Sequence, residues 1–227
     1  FDVDGNGQPR KVYYNGYEAG KDILDSGHEH SADGGCCGGP AMGATKLGIE
    51  NFAVKGMQGR GVLVDFTRHF GRQRQLIGYQ ELMAVMAQDK VQVERGDMLV
   101  LRTGFAEEVV EMAGKPDADK LHNTGSVLDG ADEQVLNWVS DSGMTAICAD
   151  NYAVEAYPAR ERAGKKSILP LHHHCLFKLG LPLAELWYLK DLAEALHAQQ
   201  RNRFLLTAPP LRLPGAVGSP VTPIATI

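Results

Sequence analysis

Short apolar runs alternate with segments of helical period from about residue 59 onward, and that alternation restricts the fold more than any other feature. Gly61-Val-Leu-Val-Asp-Phe66, Asp97-Met-Leu-Val-Leu-Arg102 and Met144-Thr-Ala-Ile-Cys148 are too short for helices and too apolar for surface loops. Each reads as a buried strand. Between them, Tyr79–Asp89 brings Leu82, Val85 and Met86 to one helical face. Phe105–Ala113 reads as a helix. Ala131–Ser142 sets Val135, Trp138 and Val139 on one stripe and stops at Gly143. Two further helices are predicted over Leu171–Leu179, closed by Gly180, and Leu189–Gln199. Arg203–Ala208 and Val221–Ala225 read as closing strands across a Pro- and Gly-rich turn region. Strand and helix in alternation give the α/β class.

Residues 1–58 are rich in Gly and polar residues, and Gly34-Gly-Cys-Cys-Gly-Gly-Pro-Ala-Met-Gly43 cannot form a regular element. No Gly-Lys-Ser/Thr follows it, so it is not a phosphate loop. With no repeat and no convincing linker, the expectation is a single domain over 1–227. A net charge of −5 without a basic stripe gives no reason to bind nucleic acid. No apolar run reaches the ~18 residues of a membrane span. Cys36 and Cys37 are neighbours and would bridge only under strain, while Cys148 and Cys175 lie in apolar segments. Free buried thiols suit a reducing cytoplasm.

The sharpest candidate site is Leu169-Pro-Leu-His-His-His-Cys175, followed by Glu185 among Leu181, Leu183, Leu186 and Trp187. His and Glu are good ligands for zinc or manganese. Consecutive helical side chains diverge by about 100°, so His172, His173 and His174 cannot all reach one ion. An apolar setting makes an unpaired Glu185 costly, which calls for a metal ion or an Arg beside it. Asp150-Asn151 follows a strand, where α/β proteins place functional side chains but where a turn or helix cap is an equal reading; Asp65 has the same two readings. Asp2-Val-Asp4-Gly-Asn6-Gly7 begins like a calcium loop but has Tyr13 where the Glu is required, so it reads as a turn. His28-Glu29-His30 lies in the Gly-rich region and reads as a solvated loop rather than a metal site.

Five stretches in order resemble the cyclase family of metal-dependent hydrolases, which includes kynurenine formamidase and isatin hydrolase. They are Tyr14-Asn-Gly16, Gly59-Arg-Gly-Val-Leu-Val-Asp65, Gly96-Asp-Met-Leu-Val-Leu-Arg-Thr-Gly104, Ala149-Asp-Asn-Tyr-Ala-Val-Glu155 and the closing segment Ala208–Pro220. The resemblance implies a swivelling β/β/α domain, with a central barrel-like sheet, flanking helices and a homo-oligomeric state. It implies hydrolysis of an amide, formamide or cyclic amide carbonyl by a metal-activated water. The family's His-x-Gly-Thr-His-x-Asp-x-Pro-x-His segment, or its Trp-Asp variant, does not occur in the chain. The catalytic His and most ligands are therefore expected upstream of Phe1, and zinc or manganese binding by these 227 residues is expected to be weak or absent. The ligands carried over are Glu185 and either His172 or His173. The alternative is a non-catalytic binding or structural protein of the same fold.

Overall fold

Apolar runs that must be buried on both faces become the interior strands of one sheet. The computed structural model describes residues 5–24, 43–163 and 167–227, which fall into two compact units. The first comprises 1–58 with 207–224, the second 59–206 with 225–227.

In the first unit a 3₁₀ turn spans Tyr14–Gly16, with Asn15 left-handed at φ 57°. Strand β1 (Ile23–Leu24) pairs antiparallel with β2 (Gly43–Ala44), and helix α1 covers Glu50–Lys55. Backbone bonds from Ala44 N–H to Gly215 O and from Ile49 N–H to Ala216 O, each 2.7 Å, tie this segment to the Pro- and Gly-rich closing region. The sequence reading left 1–58 irregular. Six residues are too few for a helical period to emerge, so α1 left no pattern to read.

The second unit runs β3 (Gln58–Asp65), α2 (Thr67–Phe70), β4 (Gln75–Ile77), α3 (Tyr79–Gln88), β5 (Met98–Arg102), α4 (Phe105–Glu111) and α5 (Ala118–His122). It continues with β6 (Ser126–Leu128), α6 (Glu133–Ser142), β7 (Ala146–Ala149), α7 (Pro170–His172), a π-helical segment over His173–Leu179, β8 (Leu183–Ala184), α8 (Lys190–Ala198) and β9 (Arg203–Thr207). Strand β10 is Ile224–Thr226. Six strands form a sheet in the order β10-β9-β3-β5-β7-β8, parallel from β3 through β8. Register pairs include Val62 with Leu99, Leu99 with Ile147, and Cys148 with Ala184. Every residue of β5 and β7 is buried. That explains their unbroken apolar sequence, since helices cover both faces of a parallel sheet.

Leu82, Val85 and Met86 of α3 pack into the core with Val62, Val64, Leu101 and Ile147. Each such side chain contributes about 1.5–3 kcal/mol by leaving water. Helix α6 begins two residues later than expected because Asp132 caps it, its carboxylate accepting from Gln134 N–H at 2.9 Å. Gly143, at φ 69°, ends the helix in the left-handed conformation that the sequence anticipated. The small parallel pair β4–β6 was not anticipated; three residues including Gln75 or Ser126 carry too little apolar pattern. The predicted helix over Leu171–Leu179 is α-helical only through His172 and widens to π afterwards, closing at Gly180 with φ 65°. Among the described residues no helix is long and apolar enough to cross a membrane.

Candidate functional site

Beyond β7 the chain makes a strained turn. Ala153 and Val154 are both left-handed, at φ 67° and 55°, a conformation that costs a β-branched residue most. Strand β6 clamps the exit: Leu128 N–H donates to Val154 O at 3.2 Å and Ala156 N–H to Leu128 O at 2.8 Å. Glu155 is thereby directed inward and is 1% exposed. Its Oε2 accepts from Leu171 N–H at 2.9 Å, and its Oε1 accepts from His172 N–H at 2.8 Å. The same Oε1 lies 2.9 Å from His172 Nδ1. On the other side of the ring, His172 Nε2 lies 3.1 Å from Glu185 Oε1. Glu185 follows β8, and its position is fixed by Leu186 N–H to Asn151 O and Trp187 N–H to Ala149 O, both 3.1 Å.

Burial alone would push the His172 imidazole down, but hydrogen bonds and charge from Glu155 and Glu185 outweigh it and lift it to about 9. Burial would raise Glu185, yet His172 and the Ala153 N–H hold it below the usual carboxylate range. The two carboxyl groups flanking the ring therefore favour its protonated form. The carboxylates differ in exposure: the Glu155 side chain is fully enclosed, while that of Glu185 is 31% exposed. Glu185 is the outward end of the trio.

The three histidines diverge as helical geometry requires. His173 stacks on Phe177, ring centroids 5.2 Å apart and planes at 11°. His174 Nε2 meets Ser140 Oγ of α6 at 2.8 Å. Only His172 meets Glu185. Glu185 is compensated by that histidine and a backbone amide rather than by an Arg.

Asp150 serves the backbone. It accepts from Thr103 N–H at 2.7 Å and Gly104 N–H at 2.8 Å, and burial pushes its carboxyl up to about 6. Asn151 Nδ2 donates to Ser126 O at 3.1 Å. Asp65 accepts from Thr67 N–H and Oγ1 and pairs with Arg102 at 2.9 Å. Asp65 takes the turn reading, while Asp150 and Asn151 tie distant backbone segments to the end of β7. Asn6 Oδ1 accepts from Gln8 N–H at 2.9 Å, as a turn residue does. Asp2, Asp4, His28, Glu29, His30, Cys36 and Cys37 lie outside the described residues. Cys148 and Cys175 are free and buried, and burial pushes both thiols up to about 12.

Glu155 is the site residue that the sequence reading missed, although it ends the Ala149–Glu155 stretch. An acid inside an otherwise apolar run, Ala153-Val-Glu-Ala156, was the available signal. Glu155 and Glu185 lie across the ring from each other, so the trio does not converge on one point. Among the described residues no set of three or more His, Cys, Asp or Glu converges to hold a metal ion.

A separate polar cavity of about 270 Å³ is lined by Asp65, Arg68, Asp89, Lys90, His197 and Arg201 among others. Asp65 is paired with Arg102 and Asp89 with Arg68, and Asp89 also meets His69 Nε2 at 2.9 Å. Lys90, His197 and Arg201 stand at the carboxyl ends of α3 and α8, where free carbonyls favour cations. Helix ends account for these charges without a ligand.

Comparison with known proteins places this architecture. The sequence model of the family named Cyclase matches residues 28–156. No curated protein matches. A solved structure described as a novel cyclase is 32% identical to the chain, covers 97% of it and superposes with a TM-score of 0.74. The chain spans 65% of that protein's length. Isatin hydrolase A from Ralstonia solanacearum is 15% identical over 78% of this chain and 63% of its own, with a TM-score of 0.55. Isatin hydrolase A from Labrenzia aggregata, solved with benzyl benzoate, is 13% identical over 78% and 64%, with a TM-score of 0.56. At these identities the likeness to the isatin hydrolases is one of fold. With over half of its length matched by the family's sequence model, and a solved cyclase 32% identical across nearly all of it, the chain belongs to the cyclase family.

Proposed function

We propose that this chain carries part of a metal-dependent hydrolase that opens an amide, formamide or cyclic amide, and that His172 and Glu185 are two of its metal ligands. The observation that carries the reading is the 3.1 Å separation of His172 Nε2 and Glu185 Oε1. Two ligands about 2.0–2.2 Å from a tetrahedral zinc ion stand roughly 3.3–3.6 Å apart, a few tenths of an ångström beyond this separation. The donor set, one imidazole nitrogen and one carboxylate oxygen, suits zinc or manganese. When bound, such an ion lowers the pKa of a water and polarises a carbonyl.

This chain's own residues do the rest of what can be assigned. Glu155 accepts a hydrogen bond from His172 Nδ1–H and leaves Nε2 turned toward Glu185. Glu185 supplies negative charge at the exposed end. The strained Ala153–Val154 turn offers an amide to Glu185, limiting its rotation. His173 is set aside as a ligand, because the imidazole that meets Glu185 is that of His172. The remaining ligands and the catalytic base are assigned to residues outside those described. The barrel-like closure and homo-oligomeric assembly implied by the family belong to the same proposal, as does the cytoplasmic location that the free thiols suggest.

The test uses the full-length natural protein that contains this chain. Zinc and manganese content is measured together with hydrolysis of an aryl formamide and an isatin-type cyclic amide. The expected result is metal-dependent turnover of at least one of these, with occupancy and turnover both reduced in Glu185→Gln. Full occupancy and unchanged turnover in that variant would remove Glu185 from the site. Absence of metal binding and turnover would favour the non-catalytic alternative.

A further inference from the structure

We infer that Glu155 is a positioning residue for the metal site, fixing both the direction and the protonated nitrogen of His172; this rests on His172 being a ligand. Four observations converge on it. The Glu155 side chain is wholly enclosed, so it contacts no substrate. It binds the backbone and the ring of the same histidine: Oε1 receives His172 N–H at 2.8 Å and faces Nδ1 at 2.9 Å. Its other oxygen receives Leu171 N–H at 2.9 Å, so the first turn of α7 is anchored to the carboxylate that orients the ring. The fold also clears a place for it. A Cβ on Gly130 would lie 1.9 Å from Glu155 Oε2 and 3.0 Å from Leu171 Cβ, so only glycine lets the carboxylate reach α7.

The chemical consequence follows from the ring's two nitrogens. A carboxylate at Nδ1 keeps the proton there and leaves the Nε2 lone pair for a cation, and it makes that nitrogen more basic. The turn that delivers Glu155 also serves Glu185. Glu155 N–H donates to Ala153 O, while Ala153 N–H supports the Glu185 carboxylate. One strained turn thus sets the two carboxylates on opposite sides of one imidazole.

Cobalt(II) replaces the native ion in the full-length protein, and its affinity and visible absorption are compared in wild type, Glu155→Gln, Gly130→Ala, His172→Ala and Asp150→Asn. Glu155→Gln is expected to bind cobalt about 10–100-fold more weakly and to shift the absorption bands. Gly130→Ala, which displaces the carboxylate without removing it, is expected to shift the bands the same way and provides the answer if Glu155→Gln does not fold. Asp150→Asn alters a buried carboxylate of purely structural use and is expected to leave affinity and spectrum unchanged. If His172→Ala loses cobalt binding while Glu155→Gln and Gly130→Ala match wild type, the positioning role is overturned and the ligand assignment stands. If His172→Ala binds as wild type does, the ligand assignment is overturned and the positioning role falls with it.

Discussion

Asp150 and Glu155 lie five residues apart on one turn and are both buried, and each carboxylate accepts two backbone amides at the start of another segment. Asp150 ties Thr103 and Gly104, just ahead of α4, and its contacts end at the backbone and the Thr103 side chain. Glu155 ties Leu171 and His172 and then continues to an imidazole nitrogen whose partner across the ring is a half-exposed carboxylate. The same structural device is therefore used twice, once to close a turn and once to aim a ligand. What separates the two is where the hydrogen-bonded chain ends. A chain that terminates in the interior is structural, whereas one that reaches a polar group open to solvent has chemistry available to it.

The largest expected effect is the most severe break of this comparison. Glu155→Ala strands two buried amides and one nitrogen of a partly buried imidazole, and is expected to cost about 3–5 kcal/mol in urea unfolding. Asp150→Ala strands two amides and the Thr103 hydroxyl but no charged group, and is expected to lose less than Glu155→Ala does by the same measurement. If Asp150→Ala proves the costlier, the backbone bonds dominate at both sites and the distinction collapses. Gly130→Ala is expected to cost about 1–3 kcal/mol through overpacking against Glu155, while metal affinity falls with it. His174→Ala loses one bond to Ser140 at the surface and is expected to change stability by less than about 1 kcal/mol.

A further effect is a pH dependence. Burial raises Asp150 from its ordinary value near 3.8 to about 6, so the folded protein holds this proton more tightly than the unfolded chain does. Its contribution is therefore fully present below about pH 4 and is lost as pH rises through about 6. The advantage of wild type over Asp150→Asn should shrink across that window and level off above it. Urea midpoints of both proteins between pH 4 and 7.5 would reveal this; a constant difference would contradict the raised value.

The elements that were legible in the sequence are those whose burial is one-sided or complete. Met98–Arg102 and Ala146–Ala149 read as strands because two covered faces demand an unbroken apolar run, and α3 showed its helical face through Leu82, Val85 and Met86. Short elements carried no period, so α1, β4, β6 and β8 were not read. At the site, residue types and the spacing from His172 to Glu185 were legible, and so was the divergence of the three histidines. Which histidine meets Glu185 was not, because it depends on where α7 begins, and Glu155 fixes that from outside the helix. Long-range anchoring of this kind leaves no local pattern. The switch to π geometry after His172 likewise had no counterpart in the apolar spacing.

The central claim is that one histidine of three, His172, shares an ion with Glu185. Its most direct test is zinc affinity, measured by chelator competition, in His172→Ala, His173→Ala and His174→Ala of the full-length natural protein. The geometry predicts that His172→Ala loses at least about tenfold in affinity, while His173→Ala and His174→Ala bind as wild type does. Equal losses at all three positions, or a loss confined to His173→Ala, would contradict it.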